Sequence, residues 1–329
     1  MEPKTLQDAI KFFADPVNCR EYLVARRWPD GKVLCPRCGS GSVKFSEKHN
    51  RWQCSSHHER RQFTLKTGTI FEDSPISLDK WLTVLWMLVN CKNGVSSWEI
   101  NRTVGVTQKT AWFMLHRLRA VLAPRDEGQL GETGGPVEAD ETFIGPLPRK
   151  MHKSRRDRLK AAAAFAGNDP HRVSKAIVMG MLDRDLRQVR AMVVPNIKRT
   201  TLQEQILKHI KGGTTVYTDE FPVYPFALAD KFAHEVVNHV QGYVVGRVHT
   251  QGIENFWSLL KRGLRGTYVS VEPFHLDRYV DEQVYRYNNR ATKDNPLTDA
   301  DRFDFALSQI TGRRLTYKEL TGKTAEAAS

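Results

Sequence analysis

Three acidic residues, Asp140, Asp219 and Glu254, have the types and spacing to do chemistry together. Gaps of 79 residues (219 − 140) and 35 residues (254 − 219) separate them. Each aspartate ends or interrupts a short apolar run typical of a strand, and the glutamate opens a helical pattern. Carboxylate oxygens are preferred ligands of Mg²⁺, and two such ions about 3.5–4 Å apart clamp the attacking and leaving oxygens of a phosphodiester. The spacing therefore predicts a two-metal site that cuts a phosphodiester.

The two aspartates are predicted to project from neighbouring strands. Asp140 lies in Val-Glu-Ala-Asp-Glu-Thr and is expected to bridge the metals, while Asp219 ends the run Val-Tyr-Thr-Asp. Glu141 and Glu220 follow them directly in the sequence. Because successive side chains of a strand point to opposite faces, these two glutamates are expected to point elsewhere.

Glu254 is predicted to reach the metals from a helix that crosses the sheet. Lys261 lies seven residues later, so the two side chains share a helix face, and Lys261 is predicted to bind a phosphate beside the metals. Without a metal, Glu254 has a plainer interpretation as an acid that the helix dipole favours near an N-terminus. His249 and Asn255 lie close enough in sequence to assist Glu254, and that alternative stays open.

A second constellation has the spacing of a zinc site. Cys35 and Cys38 form one Cys-x-x-Cys knuckle, and Cys54 begins a Cys-x-x-His pattern sixteen residues further on (54 − 38). Zn²⁺ binds four thiolate or imidazole ligands tetrahedrally, and two-residue spacers let each pair bind from one turn. We therefore predict a structural zinc held by Cys35, Cys38, Cys54 and His57, with His58 as the alternative to His57. All four positions come from the protein, so this metal is not expected to catalyse.

Length, net charge and cysteine count limit the classes of protein to which the chain can belong. The chain has 329 residues, a formal net charge of +13 and five cysteines. Its length predicts two or three domains, and its charge favours a polyanionic partner such as DNA. No apolar stretch is long enough to span a bilayer and the N-terminus lacks a signal-peptide pattern, so we expect a cytoplasmic protein without a membrane partner. In that compartment the cysteines are expected to be thiols or metal ligands rather than disulfides. Basic residues near the zinc pattern are expected to offset thiolate charge or to contact phosphate, and examples are Arg37, Lys44, Arg60 and Arg61.

A helix-turn-helix is predicted between the zinc pattern and the first aspartate. Helices over 96–104 and 108–121 flank a short turn that contains Gly105. Recognition helices place their N-terminal polar residues near base edges. The predicted DNA contacts on the second helix are Gln108, Lys109, Thr110 and Arg117. The alternative is an ordinary helical bundle with a solvated charged face, which periodicity alone does not distinguish.

A basic run over 149–160 carries seven Lys or Arg residues against one Asp. Such a run predicts contact with DNA, and a solvated loop is the alternative. The predicted contacts are Arg149, Lys150, Arg155 and Arg156.

The pattern of apolar and polar residues changes after Pro136. Three strand-like runs, a helix, a strand and further helices follow in that order, which is typical of an α/β domain. Helices are predicted over 226–235, 250–264 and 273–290. The predicted organisation is a helical lead-in over 1–30, a zinc ribbon over 31–75, a helix-turn-helix DNA-binding domain over 76–123, a linker over 124–136, a catalytic domain over 137–295 and a C-terminal helical tail over 296–329.

These motifs together resemble the zinc-ribbon DDE transposases of prokaryotic insertion sequences. The resemblance covers nearly the whole chain, and its longest block is His-Thr-Gln-Gly-Ile-Glu-Asn-Phe-Trp-Ser-Leu-Leu-Lys-Arg-Gly over 249–263. Further carriers are Cys-Pro-Arg-Cys-Gly over 35–39, Phe-Thr-Leu-Lys-Thr-Gly-Thr-Ile-Phe over 63–71 and Arg-Tyr-Asn-Asn-Arg over 286–290. The resemblance implies a multidomain α/β protein whose catalytic domain has an RNase H-like mixed sheet.

The resemblance also implies a reaction. Asp140, Asp219 and Glu254 would bind Mg²⁺ or Mn²⁺, with Lys261 as the basic residue after them. Metal-activated water would cut double-stranded DNA at terminal inverted repeats, and the freed 3′ ends would join target DNA. A homodimer or larger assembly on DNA, associated with the nucleoid, is expected because two ends are cut together. Two alternatives remain: a metal-dependent nuclease or resolvase without strand transfer, and a non-enzymatic DNA-binding regulator.

Overall fold

The fold is described from a computed structural model, which covers residues 2–125, 128–145, 152–165, 175–229, 231–236, 249–293 and 295–322. The chain forms two compact units. The first combines residues 1–123 with residues 289–329, and the second comprises residues 124–288. The C-terminal segment therefore belongs with the N-terminal half.

Helices and strands alternate in blocks along the chain. The N-terminal half contains α1 (Leu6–Phe13), α2 (Pro16–Arg27), β1 (Val43–Ser46), β2 (Arg51–Cys54), β3 (Gln62–Phe63), α3 (Leu78–Asn90), α4 (Ser97–Val104) and α5 (Gln108–Leu122). The second unit contains β4 (Val137–Ile144), α6 (Lys153–Phe165), β5 (Ala176–Asp183), β6 (Gln188–Val194), α7 (Arg199–His209), β7 (Thr215–Thr218), α8 (Tyr224–Leu228), β8 (Ala233–Val236), α9 (Gln251–Gly266) and α10 (Leu276–Asn288). The C-terminal segment contains α11 (Asp299–Ser308) and α12 (Tyr317–Leu320).

The zinc ribbon is a three-stranded antiparallel sheet in the order β1-β2-β3. Trp52 on the central strand is buried, pairs with Phe63 in the register and stacks against it at 5.8 Å between ring centroids. Phe45 on the first strand contacts the same indole at 4.6 Å. Aromatic packing of this kind stabilises a sheet too small to have a large core of its own.

Aromatic residues join the helices of the first unit. Phe303 on α11 is fully buried and lies 5.0 Å from Trp86 on α3 and 5.7 Å from Phe13 on α1, between ring centroids. Asp304 accepts a hydrogen bond from the Tyr22 hydroxyl at 2.6 Å and pairs with Arg26 at 3.0 Å. Helix α11 is thus part of this core. Burying a large aromatic side chain of this kind stabilises a fold by about 1.5–3 kcal/mol.

The predicted helix-turn-helix elements lie at the expected positions, as α4, a turn and α5. Ser96 caps α4 in a reciprocal capping box with Glu99, and Thr107 caps α5 by accepting from the Thr110 amide. Gly105 ends α4 with φ of 64°, a left-handed conformation that glycine adopts without steric cost.

The second unit is built on a five-stranded mixed sheet in the order β6-β5-β4-β7-β8. Strands β6, β5 and β4 pair antiparallel. Strand β7 pairs parallel with β4, and β8 pairs parallel with β7. Strand β5, an inner strand of this sheet, is buried along most of its length, which explains why its sequence is a nearly continuous apolar run. The expected multidomain α/β class with a zinc ribbon and an RNase H-like mixed sheet is confirmed.

Helices cover both faces of this sheet. Apolar side chains of α9 and α10 pack with β5 and β6 in one cluster that includes Phe256, Leu260 and Val280. Those of α7 and α8 pack in a second cluster that includes Leu202 and Ile206. The sheet is therefore the middle layer of three.

One helix differs from its prediction, and the predicted linker contains a buried residue. The helix expected over 226–235 ends at Leu228, and Ala233–Val236 instead pairs with β7 because the parallel ladder satisfies its backbone groups. The segment expected to be a linker over 124–136 is not entirely exposed. Leu130 is buried and forms a bridge with Ile210, with its amide donating to the His209 carbonyl at 2.8 Å.

Candidate functional site

An open cavity of about 550 Å³ lies between β4 and the exposed face of α9. Three of the four residues predicted to be catalytic line it, namely Asp140, Glu254 and Lys261. The other lining residues are Glu141, Thr142, Trp257, Ser258, Arg262 and Arg265. Because the helix buries Ile253, Phe256, Trp257, Leu260 and Leu264, its acidic and basic side chains are left to face this cavity.

Asp140 is held in place by two hydrogen bonds. The Trp257 indole Nε1 donates to its Oδ2 at 2.9 Å, and the Glu141 amide donates to its Oδ1 at 2.7 Å. Trp257 reaches Asp140 by lying across Gly180, the residue of β5 that pairs with Asp140 in the register. A Cβ added at Gly180 would lie 2.5 Å from the Trp257 ring. Only glycine therefore lets the helix place its indole beside the carboxylate.

This close approach predicts the effect of substituting Gly180 by alanine. We expect Gly180→Ala to displace Trp257 and to lower the free energy of unfolding by about 1–3 kcal/mol, the usual cost of overpacking a core. Gly212→Ala is the matched control, because a Cβ there meets no atom within 4 Å. Urea unfolding of both variants, followed by tryptophan fluorescence, measures the difference. Equal stability of the two variants would contradict the close packing.

Burial and neighbouring acids disfavour the negative charge of Asp140. Burial, together with the negative charges of Asp219 and Glu254, raises the pKa of Asp140 to about 6 against the opposing Trp257 hydrogen bond. Burial also lowers the pKa of Lys261, although the charge of Asp140 opposes that shift. A divalent cation would relieve the repulsion among these carboxylates.

Asp219 lies directly after β7, the parallel neighbour of β4. Its Oδ1 accepts from the Phe221 amide at 3.1 Å, and its charge acts on Asp140. Glu141 instead accepts from the Tyr224 hydroxyl of α8 at 2.6 Å, whereas Asp140 contacts α9 on the other face of the sheet. The two side chains thus have hydrogen-bond partners on opposite faces of the sheet, as the sequence pattern predicts, while Glu141 also borders the cavity. Burial raises the pKa of Glu141 to about 7.

A buried ion-pair network fixes the N-terminus of α9. Glu138, 1% exposed, accepts from the Arg184 Nε at 2.6 Å and from the Ile253 amide at 2.8 Å. Gly252 leaves room for this carboxylate, since a Cβ there would lie 2.9 Å from Glu138 Oε2. The sequence interpretation missed this network. Its signal was a charged residue inside an apolar strand run, two positions before Asp140 and therefore on the same strand face.

The two residues considered as helpers of Glu254 have different surroundings. The Arg184 guanidinium lies 2.6 Å from His249 Nδ1 and donates to the His249 carbonyl at 2.6 Å. His249 therefore belongs to the network at the start of α9, while Asn255 is exposed. Glu254 accepts instead from the Thr250 hydroxyl at 2.9 Å.

The zinc-type ligands converge in the ribbon, with one change from the predicted set. The candidate ligand atoms of Cys35, Cys38, Cys54 and His58 all lie within 4.8 Å of one another. His58 Nε2 is 3.5 Å from the Cys35 sulfur, and His58 Nδ1 is 2.7 Å from the Glu59 carbonyl oxygen, which orients the ring. His57 is exposed and outside the cluster, so its choice over His58 is corrected. The chain bends after β2, which brings the fourth rather than the third residue beyond Cys54 toward the thiols.

Three thiols and an imidazole at this spacing suit Zn²⁺, which favours tetrahedral sulfur and nitrogen ligands. Backbone amides donate to the sulfurs of Cys35 and Cys54, and these contacts lower the pKa of both thiols against the effect of burial. Against the Ser40 amide hydrogen bond, the pKa of Cys38 is raised instead, by burial and by the neighbouring Cys35 and Cys54. Thiolate is the form that binds metal. The cluster therefore supports a structural zinc.

The predicted DNA contacts at the start of α5 are only partly free. Gln108 donates from its amide to the Ser97 hydroxyl at 2.8 Å, and the Thr110 hydroxyl lies 2.9 Å from that of Thr107. Lys109 is exposed, with its ammonium 4.9 Å from the centroid of the Tyr317 ring.

Arg117 is not available to DNA, and its prediction as a contact is corrected. The residue is 5% exposed and donates to the Glu72 carbonyl at 2.8 Å. Its guanidinium also lies 5.5 Å from the Trp81 ring centroid and 5.6 Å from that of Phe113. Arginine packs well on aromatic faces, so the α5 side expected to be charged and outward is here part of the core.

The basic run is only partly described. Arg149, Lys150 and the side chain of Arg155 lie outside the described residues. Arg156 is half-buried on α6, and its Nε lies 3.9 Å from an Asp157 carboxylate oxygen. In the part of the chain that the structure describes, no helix is both long and apolar enough to cross a membrane.

Family profiles match both units of the chain. The ISXO2-like transposase domain matches residues 132–288, and the transposase zinc-ribbon domain matches residues 15–59. The first range contains all three acids of the predicted triad, and the second contains the four clustered zinc-type ligands.

Individual relatives agree with these profiles. An "uncharacterized transposase-like protein" of Haemophilus influenzae is 32% identical over 106 residues, which are 32% of this chain and 85% of that protein. An "uncharacterized protein in transposable element ISH50" of Halobacterium salinarum is 28% identical over 263 residues, or 78% of this chain and 85% of that protein. A solved simian T-cell lymphotropic virus intasome in complex with PP2A regulatory subunit B56 gamma is matched at 14% identity, covering 64% of this chain and 68% of that chain, with a TM-score of 0.29, too low to define a shared fold.

A zinc ribbon followed by an RNase H-like sheet, with these matches, places the chain in the class of insertion-sequence transposases. Within that class, the chain belongs to the ISXO2-like transposases.

Proposed function

We propose that this transposase binds the terminal inverted repeats of its mobile element, cuts DNA there with metal-activated water and joins the freed 3′ ends to target DNA. The observation that carries the proposal is the gathering of acids from three separate elements. Asp140 on β4 and Glu254 on α9 line one cavity with Lys261, and Asp219 after β7 acts electrostatically on Asp140. The cavity lies within the residues matched by the transposase domain.

The carboxylates of Asp140, Asp219 and Glu254 would hold Mg²⁺ or Mn²⁺, since these are hard oxygen donors suited to such ions. When bound, the ions supply a water nucleophile and stabilise charge on the attacking and leaving oxygens. Trp257 orients one Asp140 oxygen through its hydrogen bond, and Glu138 keeps the start of α9 against β4. Lys261, on the cavity face of the helix, binds a DNA phosphate beside the acids.

DNA recognition is assigned to the first unit. Lys109 is exposed at the start of α5, where a recognition helix meets base edges, and Gln108 and Thr110 flank it. The arginines and lysines over 149–156 add phosphate contacts from the second unit. Because two element ends are cut together, we propose that at least a dimer assembles on DNA.

Two other functions use the same residues. A nuclease or resolvase would cut DNA at the acidic cavity without joining the ends, and a regulator would bind DNA without cutting it. The presence of all three acids around one charged site favours an enzyme over the regulator. The match to a transposase domain favours joining over cleavage alone.

The deciding experiment follows both chemical steps. Purified protein is incubated with Mg²⁺, a labelled fragment carrying the element's inverted repeats and a supercoiled plasmid. We expect cleaved fragment first and then fragment joined to plasmid, resolved on a gel. Cleavage that never leads to a joined product would identify a nuclease and overturn the proposal.

A further inference from the structure

An arginine cleft opens at the edge strand of the zinc ribbon. Its volume is about 610 Å³, and it is open to solvent. The charged and amide side chains that define the arginine cleft are Arg37, Arg51, Arg60, Arg61, Gln53 and Gln62. Among the described residues that line this cleft, none carries a carboxylate.

The zinc knuckles bring these arginines together. Arg37 lies between the two cysteines of the first knuckle, and its guanidinium donates to the carbonyl of Arg60, just beyond the fourth candidate ligand. The Arg61 carbonyl accepts from the Cys54 amide at 2.9 Å, which fixes that residue against β2. Arg60 has φ of 53°, a left-handed conformation uncommon for residues other than glycine. The loop that contains Arg60 and Arg61 is thus held in a defined conformation, and its side chains line the arginine cleft.

The arginine charges are not neutralised within the ribbon. In the described part of the chain, none of Arg37, Arg51, Arg60 and Arg61 forms an ion pair with a carboxylate. Zinc with three thiolates and a neutral imidazole carries a net charge of only about −1, which offsets a fraction of four guanidinium charges. Clustered like charges repel one another, and a bound polyanion relieves that repulsion.

We propose that the arginine cleft binds the phosphate backbone of double-stranded DNA without reading its sequence. The inference rests on the proposed function, because it takes DNA to be the polyanion that this chain handles. Arginine forks match phosphate oxygens in a bidentate manner, and the amides of Gln53 and Gln62 add neutral hydrogen bonds to phosphate or sugar. The cleft would thereby anchor the duplex while base reading is left to another part of the protein.

The test measures DNA binding by the full chain in the absence of divalent metal. Fluorescence anisotropy with a labelled duplex of unrelated sequence compares the wild type, Arg51→Ala/Arg61→Ala and the matched control Lys48→Ala, an exposed residue outside the cleft lining. Each phosphate contact contributes about 0.9 to the slope of log K against log salt. We expect the double variant to lose about 1.8 of that slope and the control to keep it. Zinc content of each variant checks that the ribbon is folded.

A further variant pair and two competitors distinguish duplex DNA from other ligands of the arginine cleft. Arg51→Lys/Arg61→Lys is expected to keep most of the slope while binding less tightly, because lysine retains charge but not the bidentate fork. An unchanged slope in the zinc-loaded alanine variant overturns the inference, as does displacement of the duplex by inorganic phosphate or polyglutamate at matched charge concentration. Failure of the proposed function is separate, since it shows as duplex binding with a normal slope and no cleavage or joining once Mg²⁺ is added.

Discussion

Replacing Asp140 by asparagine is expected to lower the rate of DNA cleavage by about 10³-fold. A metal ion stabilises the transition state of such a reaction by several kcal/mol, and each 1.4 kcal/mol is a factor of ten in rate. Asparagine keeps the size of the side chain and can accept the Trp257 hydrogen bond, so the substitution removes charge while the packing across Gly180 remains. Single-turnover cleavage of a labelled inverted-repeat fragment in Mg²⁺ measures the effect.

The matched control is Glu204→Gln, which also removes one carboxylate charge but lies exposed on α7 outside the cavity lining. We expect it to cleave like the wild type. Asp219→Asn and Glu254→Gln are expected to resemble Asp140→Asn, while duplex binding without metal is retained in all three. If all three variants cleave at the wild-type rate, the acids are not the metal site and the proposed mechanism is wrong.

Loss of zinc is expected to unfold the ribbon. Structural zinc contributes about 10–16 kcal/mol of binding free energy in small zinc domains at neutral pH, and such domains are often unfolded without it. Among the described residues, the ribbon sheet has three strands of two to four residues, too small to compensate for that loss. We expect a chelator to abolish the near-UV signal of Trp52 and to leave the second unit folded.

A pair of adjacent histidines provides the control for this prediction. His58→Ala is expected to lower zinc stoichiometry and to expose the ribbon to proteolysis, whereas His57→Ala is expected to bind one zinc per chain. Zinc is measured in the purified variants by atomic emission, and ribbon stability by limited proteolysis. Retention of zinc by His58→Ala together with its loss from His57→Ala would restore the ligand set predicted from spacing.

Much of the fold could be predicted from local sequence patterns. The ends of α4 and α5 follow from their caps and Gly105, and the stripe of apolar residues on α9 follows from helical periodicity. The strand predicted around Asp140 coincides with β4. Short-range pattern failed over 226–235, where pairing of β8 with β7 prevails over helical propensity.

The sequence by itself selected the residues proposed to carry the chemistry: three widely spaced acids, a lysine seven residues after the last of them on the same helix face, and paired metal-type knuckles. Those choices depend on residue type and spacing, which the sequence states directly. Tertiary structure alone decided what surrounds them. Asp140 meets Trp257 across Gly180, Arg117 is buried beside Glu72, and His58 rather than His57 joins the cysteines. Each of these contacts depends on a chain direction or a long-range approach, and neither leaves a periodic signal in the sequence.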